Sequence, residues 1–227
     1  MGLLQKITNP TVRSIIQALL LQVELFVEKL EGFFGNYRVD TQHYYTPEEN
    51  HMIDQSAEIL QKYFPTEPGA ALLEEDFESR CQALEDLAAE LIAVYGLTGV
   101  TFVITADEEL FPVDRLWTFG CTLVQEKVVC INANLLRSDR TDVLSHIVST
   151  VIHELRHVMQ YEIMTLENTR GVSYQRRKAW RYTTINYVSG SEDMEEYVKQ
   201  STEFDARNFQ SRVWQGAYHT TVPMGGD

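Results

Sequence analysis

DRTDVLSHIVSTVIHELRHVMQYEIM, residues 139–164, decides the fold. Leu144, Val148, Val151, Leu155 and Val158 advance by four and three residues, which lines them along one side of a helix. The pattern predicts a helix from about Asp139 to Met164 whose apolar stripe must pack on other elements. His146, Thr150, His153, His157 and Tyr161 form a second, polar stripe on the same helix. A helix apolar enough to be central does not ordinarily carry one, and inside it lies HELRH, residues 153–157.

HELRH is an instance of H-E-x-x-H. On a helix, residues four apart lie on one face about one turn apart. Two imidazoles so placed, His153 and His157, can reach one zinc ion at ~2.0–2.1 Å. Glu154 projects beside the metal rather than onto it and is the candidate general base. The pentapeptide alone is short enough to arise by chance in a solvated helical turn. Its position inside a strongly periodic helix, the strands before it and a candidate third ligand after it favour the metal reading. A catalytic zinc site needs three protein ligands and an open position.

Upstream of this helix the texture is β-like. VTFVIT (100–105), WTFGCTLV (117–124) and KVVCINANLL (127–136) read as strands, the last two joined by a turn at Gln125-Glu126. Before them the chain reads as helical. Asn9-Pro10 opens an apolar helix that ends at Gly32 and Gly35. Thr46-Pro47-Glu48-Glu49 is a capping box opening a helix to about Tyr63. After the break at PTEPG (65–69), a third helix is expected from about Ala70 to Tyr95, its many carboxylates forming a solvated face. Past the central helix, RGVSYQRRKAWRY (170–182) reads as a solvated or salt-bridged element facing SEDMEE (191–196). A last helix is expected from about Asp193 to Trp214. The fold class is therefore α+β: an N-terminal helical section, 1–96, precedes a domain, 97–227, that holds the short strands and the HELRH helix.

The candidates for the third ligand are Glu162, Glu167, Glu192, Asp193, Glu195, Glu196, Glu203, Asp205 and His219. Glu162 shares the histidine helix and cannot curl back to the metal, and the 191–196 run is acidic enough to be solvated. Glu203 fits best, because Ala206 lies three residues on and a small side chain there lets its helix come close to His153. Asp205 and His219 are the alternatives, and an i,i+4 ion pair with Arg207 is the competing role for Glu203.

VIHELRHVMQ (151–160) followed by EFDA (203–206) resembles the zincin-like metallopeptidases, specifically the gluzincin pattern H-E-x-x-H…E-x-x-A found also in small bacterial and phage-like members. The resemblance spans roughly residues 100–214 and leaves out the N-terminal helices. It implies a zincin-like domain over 97–227 in which a small, mostly antiparallel sheet packs on the HELRH helix, and one Zn2+ per chain held by His153, His157 and Glu203, with Glu154 as catalytic base. It also implies a peptide or protein substrate laid along the sheet's edge strand, here the 117–131 hairpin. Two positions depart from the family. Arg156 is charged where most members are not, and Arg207 stands where many have Asp or Asn, leaving Asp193 or Asp205 to support the first histidine. An oxyanion donor is also implied, with Tyr182, Tyr187, Tyr197 and His219 as candidates. A zincin-fold protein that binds metal and regulates or cuts one partner is the alternative function, and a helical interaction protein with a chance HELRH is a third.

The net charge of the 227-residue chain is −14, which repels nucleic-acid phosphates and anionic membranes, so neither is expected as a partner. Cys81, Cys121 and Cys130 are too few for a disulfide framework; Cys121 and Cys130 could face each other across the hairpin, with free thiols the simpler expectation. The opening MGLLQKITNPTVRS lacks a signal-peptide layout, and SIIQALLLQVELFV is too short and polar to span a bilayer. A cytoplasmic location is expected, and oligomeric state is left open.

Overall fold

The computed structural model describes residues 44–112, 118–165, 169–189 and 192–220. The helix expected after Asn9-Pro10 lies outside them, as does the tail after Thr220. The chain is α+β and mostly helical. Eight described helices run in the order α1 (Pro47–Tyr63), α2 (Pro68–Leu73), α3 (Phe77–Val94), α4 (Ala133–Leu136), α5 (Thr141–Thr165), α6 (Tyr174–Ile185), α7 (Met194–Lys199) and α8 (Ser201–Tyr218), with strands β1 (Thr101–Thr105), β2 (Gly120–Leu123) and β3 (Val128–Asn132) between α3 and α4. No described helix is long and apolar enough to cross a membrane.

The HELRH helix, α5, is the hub. Leu144, Val148, Val151, Leu155 and Val158 are fully buried, as the stripe predicts, and so are Ile147, Ile152 and Met159. α2, α3, α4, α6, α8, β2 and β3 all pack on it. One continuous apolar core results, running from Tyr45 to Ala217 and shared by the helices on either side of the sheet.

The capping box at the start of α1 forms as read: Glu49 N–H donates to Thr46 Oγ1 at 3.2 Å and Thr46 N–H to Glu49 Oε2 at 2.9 Å. Other boundaries differ from expectation. The single helix expected over 70–95 is two, α2 and α3. Asp76 caps the second by accepting from Ser79 N–H at 2.8 Å, and Arg80 pins the break by donating to Glu75, Leu136 and Ser138 carbonyls. Asp76 had looked like one more acid on a solvated face. Likewise the last helix is split. α7 ends at Gln200, whose extended ψ of 135° starts α8 afresh. The Gln200 amide then clamps the Val188 backbone from both sides, at 2.7 and 3.1 Å.

The sheet is mixed rather than mostly antiparallel. Its order is β1-β3-β2, with β1 parallel to β3 and β2 antiparallel to β3. Local alternation marks strands but carries no strand order, so the parallel pair was not foreseeable. Cys121 pairs with Cys130 across the hairpin, both as free thiols. The edge strand β2 lies close against α5: a Cβ at Gly120 would sit 2.7 Å from Thr150 Cγ2.

Candidate metal centre

α5 and α8 bring three side chains together. His157 Nε2 lies 3.1 Å from His153 Nε2, His153 Nε2 lies 3.4 Å from Glu203 Oε2, and His157 Nε2 lies 3.3 Å from Glu203 Oε1. Ligands at ~2.0–2.1 Å around a tetrahedral zinc stand ~3.3–3.4 Å from one another, so the triangle has the size the metal needs. Among the described residues, this is the one His/Cys/Asp/Glu group compact enough to hold an ion. The two imidazoles are 12% and 13% exposed, so the cluster is reachable from outside while Glu203 is buried at 4%.

Two further observations bear on a cation. Glu203 Oε2 is buried and has no hydrogen-bond partner. An unpaired carboxylate oxygen inside a protein costs free energy unless a positive charge compensates it. Two Nε2 atoms 3.1 Å apart also cannot turn lone pairs on each other; the contact requires a shared proton or metal ion. The electrostatics agree. Burial alone would lower the His157 pKa, but the Glu203 carboxylate overrides it and raises it to about 9. Burial would raise Glu203, and His157 and His153 instead hold it far below the usual carboxylate range.

The outer ring nitrogens are fixed by amides. His157 Nδ1 meets Gln160 Oε1 at 2.9 Å, and His153 Nδ1 meets Gln210 Oε1 at 3.2 Å. Each amide oxygen accepts from an Nδ1–H, so Nε2 is the nitrogen turned to the centre, where it carries a proton without a metal and can offer its lone pair to one. The expected carboxylate support is therefore corrected. Asp193 caps α7 by accepting from Glu196 N–H, and Asp205 is fully buried against arginines. Sequence reasoning had no means to single out Gln160 or Gln210, since an amide carries no charge or motif signature.

The other carboxylates considered as ligands are engaged elsewhere. Glu162 pairs with Lys127 at 2.5 Å, Glu192 accepts from Ser189, and Glu195 and Glu196 pair with Lys199. Glu167 lies outside the described residues. His219 is an exposed αL cap ending α8, about four helical turns beyond Glu203. Arg207 reaches Glu203 Oε2 only at 3.8 Å and is 39% exposed, a weak pair beside the histidine contacts.

Glu154 points to the sheet side of α5. It is 7% exposed, and Thr122 on the edge strand donates to its Oε2 at 2.7 Å. Thr122 was not recognised in the sequence, because a threonine in a strand is ordinary. Tyr187 and Tyr197 stand edge to face, 6.2 Å apart. Burial, then the negative charge of Glu203, raises both phenols, Tyr187 to about 12. Glu154 adds to both shifts, so these two of the four donors considered lie within electrostatic reach of the site. Cys121 is raised to about 12 by burial, Cys130 and Glu154, which makes it a poor nucleophile.

No protein-family model, curated protein or solved structure gives a significant match to this chain.

Proposed function

We propose that this protein is a zinc-dependent peptide hydrolase of the gluzincin kind, as its H-E-x-x-H…E-x-x-A pattern suggests. The observation that carries the reading is the buried His153–His157–Glu203 triangle of metal-compatible size with an orphan oxygen on Glu203. His153, His157 and Glu203 hold one zinc ion. Zinc bound there would supply a Lewis acid that brings the pKa of a water near neutral. Glu154 accepts that proton; Thr122 occupies its Oε2, which leaves Oε1 for the transfer, and Glu154 then returns the proton to the leaving amine. Tyr197 and Tyr187, whose phenols the carboxylates of Glu203 and Glu154 help keep protonated, are the donors for the developing oxyanion. An extended peptide or protein segment lies along β2, whose outer edge is unpaired among the described strands.

A second reading keeps the metal and replaces general proteolysis by action on one partner. Val198 on α7 and Phe204 on α8 are 36% and 39% exposed and line one hollow with Arg207, which itself reaches Glu203 at 3.8 Å, an apolar surface suited to a specific protein.

Elemental mass spectrometry on purified protein tests the metal. We expect near one zinc per chain in the wild type and a large loss in Glu203→Ala. No zinc in either, even after it is added back, would remove the hydrolase reading. Glu154→Gln separates the two functions: it should abolish peptide hydrolysis, by about 10²–10⁴-fold, with zinc retained. Partner binding that survives Glu154→Gln, without measurable turnover in the wild type, would favour the second.

A further inference from the structure

Gln160 lies one turn beyond the motif, and its oxygen meets His157 Nδ1 at 2.9 Å. Its amide is the most constrained in the centre. Nε2 donates twice, to the Thr202 carbonyl at 2.9 Å and to Asp205 Oδ2 at 2.7 Å. Both partners are acceptors only, so the amide has one permitted orientation. Flipping it would lose both bonds and set an oxygen lone pair against a carboxylate and a carbonyl in a site 1% exposed. Oε1 must therefore face His157, and His157 must donate from Nδ1. The opposite tautomer would place a proton on Nε2, where His153 and Glu203 converge.

The anchor is itself held. Asp205 Oδ2 also accepts from Arg156 Nε at 2.7 Å, and Asp205 Oδ1 accepts from Arg156 and Arg176 at 3.2 and 3.1 Å. Both guanidiniums are clamped in turn by Glu49 of α1. Arg156, the charged residue inside HELRH, thus faces away from the metal and fixes the acid that fixes the amide.

We propose that Gln160 is a positioning residue of the metal centre, locking the proton of His157 on Nδ1 and its lone pair on Nε2 through an amide anchored to Asp205. The inference rests on the zinc reading above and adds to it the residue that presets a ligand. Gln210 does the same for His153 with less constraint: its contact is longer, at 3.2 Å, and it is 9% exposed against 1% for Gln160.

The test compares zinc affinity, by competition with a chelator, in the wild type, Gln160→Met, Gln160→Glu and Gln210→Met. Methionine keeps the length and the helix but loses the acceptor. Asp205 retains its two arginines, so Gln160→Met should fold. We expect it to bind zinc about 10- to 100-fold more weakly than the wild type. Gln160→Glu keeps an acceptor for Nδ1–H when its carboxyl is protonated and donates a hydrogen bond to Asp205 in place of the amide N–H. It should recover most of the loss, and it carries the test if Gln160→Met does not fold. Gln210→Met should lose less. Nitrogen NMR of the zinc-loaded protein should find the His157 proton on Nδ1 in the wild type and Gln160→Glu, with slower exchange than in Gln160→Met. Gln160→Met within twofold of the wild type, or a Gln160→Glu variant no better than Gln160→Met, overturns the proposal. A wild type that binds no zinc overturns the metal reading, and this inference with it.

Discussion

The pair of helices α5 and α8 carries two polar clusters built from almost adjacent residues, and they are opposites. His157 and Glu203 belong to one; Arg156 and Asp205 belong to the other. In the second, two carboxylates (Glu49, Asp205) meet two guanidiniums (Arg156, Arg176), so the formal charges cancel. Each of the four carboxylate oxygens accepts two hydrogen bonds. Tyr45, Trp180 and Phe209 cover the Arg156 guanidinium, and the atoms left without a partner there are N–H donors, Arg176 Nε and Trp180 Nε1, rather than a carboxylate oxygen that would attract a cation. The first has one carboxylate, two imidazoles, an orphan oxygen and partly open histidines. A charge-balanced cluster whose carboxylates are saturated holds structure, whereas one with an unpaired carboxylate oxygen and access is where a cation fits.

The contrast predicts opposite responses to truncation, and the largest is at Arg156. Arg156→Met leaves two buried carboxylates with Arg176 as their only guanidinium, so folding stability should fall by about 3–5 kcal/mol. Denaturant titration would measure it, and chelator should lower the melting temperature further. Glu203→Ala should behave the other way: its melting temperature should no longer respond to chelator, while the wild type loses about 2.7 kcal/mol when zinc at 100 times Kd is withdrawn. A chelator response that survives in Glu203→Ala, or an Arg156→Met variant as stable as the wild type, would collapse the distinction.

Acid separates the clusters more finely. Burial would raise Glu49, but Arg156 and Arg176 hold it at about 2, below its ordinary 4.5. A carboxylate depressed in the folded state contributes stability that is complete above pH 4.5 and is lost as pH falls toward 2. The contribution is on the order of 3 kcal/mol. Glu49→Gln should therefore be less stable than the wild type at pH 7, with the two stability curves converging between pH 4.5 and 2. Parallel curves across that range would show that Glu49 is not paired as described.

These clusters also show what a sequence can and cannot display. The α5 stripe, the HELRH pair, the Thr46–Glu49 box and Glu203 beside Ala206 were legible because each is a spacing within one element. The saturated cluster was not. Glu49 and Arg156 are 107 residues apart, and Arg156 and Asp205 are 49 apart. A charge has no local mark that distinguishes burial from solvation. RRK at 176–178 therefore read as a surface run facing 191–196, yet Arg176 turns inward to Glu49 and Asp205 with Trp180 buried beside it. Amphipathic α6 is what makes that possible: one face carries Arg176, Trp180 and Thr183 inward, and Tyr174 and Tyr182 stay outside. The helix break at Asp76 was missed because a capping residue inside an acidic run looks like more surface, and the break at Gln200 because its amide acts on Val188, twelve residues away, rather than as a local cap.

The finest test concerns the seam between the sheet and the unsaturated cluster. Thr122 reaches Glu154 from β2, and Gly120 is what lets that strand lie close enough to α5 to do so. Thr122→Val keeps the shape and strand preference and removes the hydroxyl alone. One hydrogen bond to a charged group is lost at a partly exposed position, so the effect should sit near the lower end of ~1.5–3 kcal/mol. On the hydrolase reading, kcat should fall by about tenfold, with zinc content unchanged and the melting temperature lowered by about 2–4 °C per kcal/mol lost. The edge strand would then act on the chemistry by orienting the base, in addition to any role in holding a peptide. A loss of zinc in Thr122→Val would place the strand's influence on the ligands instead, and unchanged kinetics would reduce the contact to packing.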